Sequence, residues 1–538
     1  MPGRGAWGAR ATISATINRP LLACLAVLPA FAAAALAAPV AAAGSSSVTV
    51  GQPLRVTEDS TLARTNVSPV IIRDHQDPRT FYAVAAEMVK AECRFYVSHD
   101  AGQTWTQGTT PPLPTEYHCN PGSIHPAQYS LNLAQGPDGT LYYAMQPNAA
   151  DGTHEVFLAR SHDGGQSWQL SPVDIVPLAG TTTGPVPMDI GPRVAVDPSN
   201  PKNVYVSFRR TAAVPAGHTG KRVYARPWFA SSSDGGATFT KATMISNDNV
   251  GDFGPSVVAT NGAVYTFFPA QPEGSATSTP VYAAVSRDNG KNWSKSTITN
   301  APYADPVSAL YDASRKQFYA AWDDNRKGDL DAWFSKSADG VHWSDPQRLN
   351  DDPVGNKRGQ YFPELALAPD GRVVADWYDF RNDPYPVPTP KPSASALDEG
   401  SNLGQWSDVY LTYSDDGGAS WAANTRVTSF PIDRTKGVWN ENYFFLSPPG
   451  LAAADDVALP LWSGTVLGNA ATSAQDIFTA QVQFASTTAA SGSFSGGPLP
   501  AWAWLVIGVG GGAAVGAGIA LFLTGLRLRR RWQRQQPV

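Results

Sequence analysis

A β-rich run, a turn and a second β-rich run recur in the same order along most of the chain. The first set reads Val70-Ile71-Ile72, Asp77-Pro78, then Phe81-Tyr82-Ala83-Val84. The order returns at Gly136-Pro137-Asp138-Gly139 before Leu141-Tyr142-Tyr143, at Asp197-Pro198 before Val204-Tyr205-Val206, and at Asn261-Gly262 before Val264-Tyr265. Two further copies stand at Asp312-Ala313-Ser314 before Phe318-Tyr319 and at Pro369-Asp370-Gly371 before Val373-Val374. Turn formers set between β formers in this way are strand-turn-strand signals. A third run follows each pair, as in Asp408 to Thr412.

Each third run ends in a shared motif, SxDxGxxW. SHDAGQTW begins at Ser98, SHDGGQSW at Ser161, SSDGGATF at Ser232, SRDNGKNW at Ser286, SADGVHW at Ser337 and SDDGGASW at Ser414. The fifth copy is one residue short and the third ends in Phe239. The Asp can accept hydrogen bonds from the turn's own N–H groups, the Gly can take φ > 0, and the aromatic can pack into the sheet beneath. Each motif therefore reads as a turn leading to a fourth strand, and four strands per unit is the architecture of a β-propeller blade. After Asp416 enough chain remains for another unit, built from Leu451-Ala452-Ala453, Val457 to Trp462 and Asp476 to Thr479, without a motif of its own. Gln52 to Thr57 mirrors the outer strand Pro346 to Asn350 and supplies the missing one. The expected fold is all-β, a propeller of seven four-stranded blades closed by the N-terminal strand, with six blades the alternative.

The six motifs resemble the Asp-box of the sialidase and BNR-repeat proteins, where it is a structural turn on propeller blades. Asp100, Asp163, Asp234, Asp288, Asp339 and Asp416 are accordingly expected to be structural. The resemblance also implies a glycoside hydrolase in which three Arg hold a substrate carboxylate, a Glu activates a Tyr nucleophile and an Asp is the acid. The family's Phe/Tyr-Arg-Ile-Pro motif has no counterpart: the first inner strand reads Ser68-Pro69-Val70-Ile71-Ile72-Arg73.

Charge separates the two ends from the middle. Residues 1–43 and 499–538 hold eight arginines and no Asp or Glu, so the formal −5 of the whole chain leaves the remainder near −13. An acidic surface argues against a nucleic-acid partner. Residues 1–43, with Arg4, Arg10 and Arg19 ahead of an Ala-rich run and Ala41-Ala42-Ala43-Gly44, read as a secretory signal. Residues 51–484 form the propeller, and Ala485 onward to 499 a flexible Ser/Gly/Thr stalk. Residues 500–526 include 25 uncharged positions from Trp502 to Leu526, a transmembrane helix, and 527–538 form a basic tail that the positive-inside rule places in the cytoplasm. The expected location is the cell membrane, single-pass type I, with the large domain outside.

Chemistry is expected on the face away from the boxes, at the loops joining second to third strands and blade to blade. Trp322-Asp323-Asp324-Asn325-Arg326 and Trp377-Tyr378-Asp379-Phe380-Arg381 share WxDxR there, and Phe208-Arg209-Arg210 occupies the same place in the third blade. Either Arg209, Arg326 and Arg381 converge with Arg193 on an acidic sugar, or Asp324 and Asp379 each pair with their own Arg and brace a loop. Glu364 and Arg193, at the starts of inner strands, are expected to face the central channel, with Tyr361 near Glu364. Cys93 and Cys119 both map to this face, and a secretory location predicts a disulfide. No metal site is expected at His118 and His125; acidic loops at Asp248, at Asp329 and Asp331, and at Asp351-Asp352 are candidate Ca²⁺ ligands, with solvated turns the alternative. Two functions follow: a membrane-anchored, sialidase-like glycosidase, or a non-catalytic propeller binding a glycan or a cell-surface protein. No cofactor is expected for either.

Overall fold

The computed structural model describes residues 48–59, 61, 64–119, 131–149, 155–175, 189–211, 225–250, 254–260, 262–272, 278–385, 404–437, 448–468 and 474–485. The expected signal, the transmembrane helix, the basic tail and all but the first residue of the stalk lie outside these residues. Within them every regular element is a strand, and the strands form a propeller of seven blades.

Blade I runs from the inner strand Asn66–Arg73 through Phe81–Glu87 and Glu92–Ser98 to Thr106–Gln107 at the rim. The inner strands of blades II to VII are Asn132–Gln135, Asp189–Val196, Ser256–Thr260, Ala304–Asp312, Gln360–Leu367 and Gly450–Ala453. All neighbours within a blade are antiparallel, as meander connections require. The alternation along each strand sends one set of side chains to each adjoining blade. Ala366, Val374 and Tyr378 of blade VI pack toward Trp462 of blade VII, while Leu365, Ala375 and Trp377 pack toward Tyr319 and Phe334 of blade V. The core is thus a ring of inter-blade layers. Trp322, Trp377 and Trp462 are its largest fully buried side chains, each contributing about 2–3 kcal/mol by burial.

The boxes are what joins one layer to the next. In the first, Ser98 Oγ donates to Asp100 (2.8 Å), Gly102 N–H donates to Ser98 Oγ (2.8 Å), and Thr104 donates to Asp100 from its N–H (2.9 Å) and hydroxyl (2.6 Å). The same set recurs at Asp163, Asp234, Asp288 and Asp416, and the short fifth box keeps it with His342 in place of a hydroxyl. Side-chain hydrogen bonds from Ser167, Thr238 and Asn292 hold Asp163, Asp234 and Asp288 down to about 2. The glycine of each box lies against a side chain of the preceding blade. A Cβ there would fall within 3 Å of Leu459, Phe95, Leu158, Phe229, Tyr265 or Phe334, taking the boxes in order. The aromatic does likewise: Trp168 meets Phe95 edge-on at 5.1 Å, Trp293 meets Phe229 at 5.1 Å and Trp421 meets Phe334 at 4.9 Å. The sheet that receives the box is chiefly that of the preceding blade, although Trp168 also meets Tyr143 of its own blade at 6.1 Å.

Ring closure is double. Leu54–Arg55 pairs with Phe478 and Thr479 as the outer strand of blade VII, and Val48–Val50 pairs with Val482–Phe484, a second strand pair that the hydrophobic pattern does not announce. The buried ion pair of Arg64 with Asp476 (2.8 Å) locks the junction. Cys93 and Cys119 form a disulfide with Cα atoms 5.3 Å apart, tying the third strand of blade I to the link that leaves it.

Candidate functional site

First-to-second strand turns share a face with the boxes: Ala101 N–H donates to Arg79 O (2.8 Å), and Gly235 N–H to Lys202 O (2.9 Å). The inner strands start at the opposite face. Those of blades I, III, V and VI each carry a register shift near that start, between Val67 and Val70, Ile190 and Arg193, Asp305 and Ser308, and Tyr361 and Glu364. Each shift contains a proline, at Pro69, Pro192, Pro306 and Pro363, which cannot donate to the ladder. The residue before it adopts φ near +60° at Ser68, Gly191 and Phe362. For Phe362 that conformation is strained, and its N–H is held by the buried Asp323 carboxylate of blade V (2.7 Å). The bulges bring Arg193, Ser308 and Glu364 to the channel.

The channel encloses about 290 Å³ at this end, the low end of ligand-pocket size. Every blade contributes: Val70, Asn132, Arg193, Ser256, Ser308, Glu364 and Gly450 come from blades I to VII in turn. The polar side chains are unevenly spread: blades II to VI each add one among apolar neighbours, whereas blades VII and I add Pro448, Pro449, Leu451, Val70 and Ile72, with Ser68 their one polar side chain. Side chains stitch adjacent inner strands together. Asn132 accepts from Val194 N–H (2.9 Å), while Ser308 Oγ accepts from Leu365 N–H (3.1 Å) and donates to Glu364 (2.7 Å).

Two ionisable groups at the channel and one buried behind them are not neutralised by contact. Arg193 has its Nε buried without a partner, and no described carboxylate reaches ion-pair distance of it; burial draws the guanidinium down from its ordinary range while the charge of Glu364 draws it back. Burial pushes Glu364 up, against the pull of Arg193 and the Ser308 hydrogen bond. Asp376, the cross-strand partner of Glu364, is fully buried with both carboxyl oxygens unpaired, and burial together with the Glu364 charge pushes it well up.

The other expected site residues are elsewhere. Asp324 accepts from Trp322 Nε1 (2.7 Å) and from Arg326 Nε (2.8 Å), and Arg326 lies over the Trp333 ring at 4.6 Å. Asp379 accepts from Trp377 Nε1 (2.8 Å) and Arg381 Nε (3.0 Å), and Arg381 lies over Tyr410 at 4.2 Å and reaches Asp351 (2.6 Å). Arg210, bound to Asp189 and stacked on Trp228 at 4.3 Å, is the blade III equivalent; Arg209 is buried within that blade. Of the two readings the structure has the bracing one, and among these arginines only Arg193 lines the channel: Arg326 and Arg381 are captured by a carboxylate on the second strand and an aromatic on the third, Arg210 by Asp189 of the inner strand and Trp228. Tyr361 is buried and stacked on Phe362 at 3.8 Å, outside the channel wall, so the hydroxyl beside Glu364 is that of Ser308. Of the acidic loops, Asp331 and Asp352 are engaged by Arg348 (2.6 and 2.9 Å), and Asp248 by Lys295. Among the described residues no group of three or more His, Cys, Asp or Glu is placed to hold a metal ion.

Asp376 and Ser308 are missed by motif reading because each sits in an ordinary strand pattern. One signal was available. The X-Pro step at Ser68-Pro69, Gly191-Pro192, Gly254-Pro255, Asp305-Pro306, Phe362-Pro363 and Pro448-Pro449 is a second repeat, and it marks the channel wall.

Residues 50–274 match the family described as BNR repeat-like domain. No sequence among curated proteins matches the chain. Among solved structures the chain is similar to the GH93 α-L-arabinofuranosidase of Fusarium graminearum complexed with arabinobiose, at 13% identity over 61% of this chain and 92% of that one, with a TM-score of 0.43. It is also similar to the Hadza microbial sialidase Hz136 (13% identity, 74% and 76% covered, TM-score 0.42) and to Trypanosoma rangeli sialidase in complex with sialic acid (11%, 70% and 55%, 0.39). Likeness this distant says nothing about activity. The match to BNR repeat-like domains covers residues 50–274, and the box turn itself recurs on six consecutive blades of the propeller.

Proposed function

We propose that the protein is a cell-surface propeller, held by one C-terminal span, that recognises a sugar residue of a glycan at the channel mouth opposite the boxes. The observation that supports recognition over turnover is the commitment of Arg210, Arg326 and Arg381 to loop braces. Among the described residues this leaves one channel guanidinium instead of the three-arginine clamp that the sialidase resemblance implies. The uneven wall suits a pyranose or furanose, whose ring has an apolar face and a rim of hydroxyls. The secretory signal and the span support display outside the cell. A hydrolytic reading draws on Glu364 with Asp376 behind it, since a carboxyl held above its ordinary range suits a general acid.

The full chain, purified in detergent, would be applied to a glycan array and in parallel to fluorogenic sialosides, arabinofuranosides and glucuronides. Saturable binding without turnover is expected. Turnover abolished by Glu364→Gln would establish the hydrolytic reading, and retention of no glycan would overturn both. Protease treatment of intact cells is expected to remove the propeller; full protection would overturn display outside the cell.

A further inference from the structure

The channel's charges are arranged as two poles. Arg193 stands on blade III and Glu364 on blade VI, three blades apart in a ring of seven, which places them nearly opposite across the axis. They attract each other yet make no ion pair within 4.0 Å, so the attraction spans an open gap. Among the described residues neither pole has an oppositely charged partner behind it, Glu364 having only the Ser308 hydroxyl. Arg193 Nε is buried without a partner, and the fully buried Asp376 next to Glu364 has neither oxygen paired. An uncompensated buried charge is costly, and this propeller neutralises such groups elsewhere: the loop arginines Arg210, Arg326 and Arg381 of blades III, V and VI each have a carboxylate. Two opposed, unneutralised poles in one enclosed space are the complement of a dipolar ligand.

Resting on the glycan reading and naming its chemistry, we propose that the channel binds a zwitterionic end group, its anionic group on Arg193 and its ammonium on Glu364. Such a ligand neutralises both poles at once. The guanidinium presents its planar fork to a carboxylate, and Glu364 takes an ammonium beside the Ser308 hydroxyl, with Asp376 buried behind it. A ligand with only the anionic group leaves Glu364 uncompensated, and one with only the ammonium leaves Arg193 so. The apolar arc of Pro448, Pro449 and Val70 receives the ring between the two groups.

Calorimetric titration of the full chain in detergent would compare four sugars: 2-amino-2-deoxyglucuronic acid, glucuronic acid, glucosamine and glucose. The zwitterionic sugar is expected to bind at least tenfold tighter than either singly charged one. Arg193→Gln should erase its advantage over glucosamine, and Glu364→Gln its advantage over glucuronic acid. Equal affinity for the zwitterion and the singly charged sugars, in the unaltered protein, overturns the two-pole proposal while sugar recognition stands. Binding of 5-aminopentanoate with no binding of any sugar supports the two poles and overturns the glycan reading. Absence of binding by all five compounds overturns both.

Discussion

The two faces of the propeller treat polar groups in opposite ways. At the boxes every carboxylate is satisfied within its own turn, by hydroxyl and N–H donors no more than four residues away. At the channel the Nε of Arg193 is buried without a partner, and behind the wall both oxygens of the buried Asp376 are unpaired. The repeated motif is therefore scaffold, and the chemistry sits at positions that differ from blade to blade: Val70, Asn132, Arg193, Ser256, Ser308, Glu364 and Gly450 occupy equivalent places in seven copies of one unit. A repeat protein advertises in its sequence the part that must be the same in every unit. Its binding site is written in the exceptions.

The largest test of this contrast lies within one box. Gly165→Ala sets a Cβ 2.2 Å from the Phe95 ring of the preceding blade at φ +89°, whereas Gly164→Ala at φ +69° meets only the Tyr82 hydroxyl at 3.6 Å. Gly165→Ala should cost about 3–4 kcal/mol, overpacking and backbone strain together, and Gly164→Ala about 1 kcal/mol. Equal losses in urea denaturation would show that the boxes do not couple blades.

A smaller effect separates the faces by pH. Asp163, Asp234 and Asp288 are held down to about 2, so their contribution is complete above the unfolded carboxylate range near 4 and is lost as the pH falls from about 4 to 2. Asp376 is pushed up, so its sign is reversed: the folded state is favoured while the group stays protonated and loses ground as rising pH forces ionisation. Asp376→Asn should accordingly stabilise the protein at pH 7 and do little at pH 4. Asp234→Asn should destabilise at pH 7. Denaturation of both variants at the two pH values reads the signs, and a loss of stability for Asp376→Asn at pH 7 would remove the contrast.

The smallest effect concerns the loop braces. Arg326→Lys keeps the charge but loses the fork on Asp324 and the stacking on Trp333, and should cost below about 1 kcal/mol with glycan binding unchanged. A large drop in binding would move Arg326 into the site.

Four-stranded units, seven of them, and closure by the N-terminal segment were legible from turn signals, alternating runs and six boxes, because these depend on local backbone chemistry that repeats. So was the pairing of Asp with Arg in each WxDxR, as one of two readings. The choice between those readings was not, since it turns on Trp333 and Tyr410, which come from the third strand and stack on the arginines only once the blade is formed. The crossing of box residues to the preceding blade, the second closing pair Val48–Val50 with Val482–Phe484, and the meeting of Glu364 with Ser308 were decided by tertiary structure alone. Each joins residues whose separation along the chain carries no information about distance across a ring. Local sequence determined the blade; only closing seven blades around one axis set Arg193 opposite Glu364.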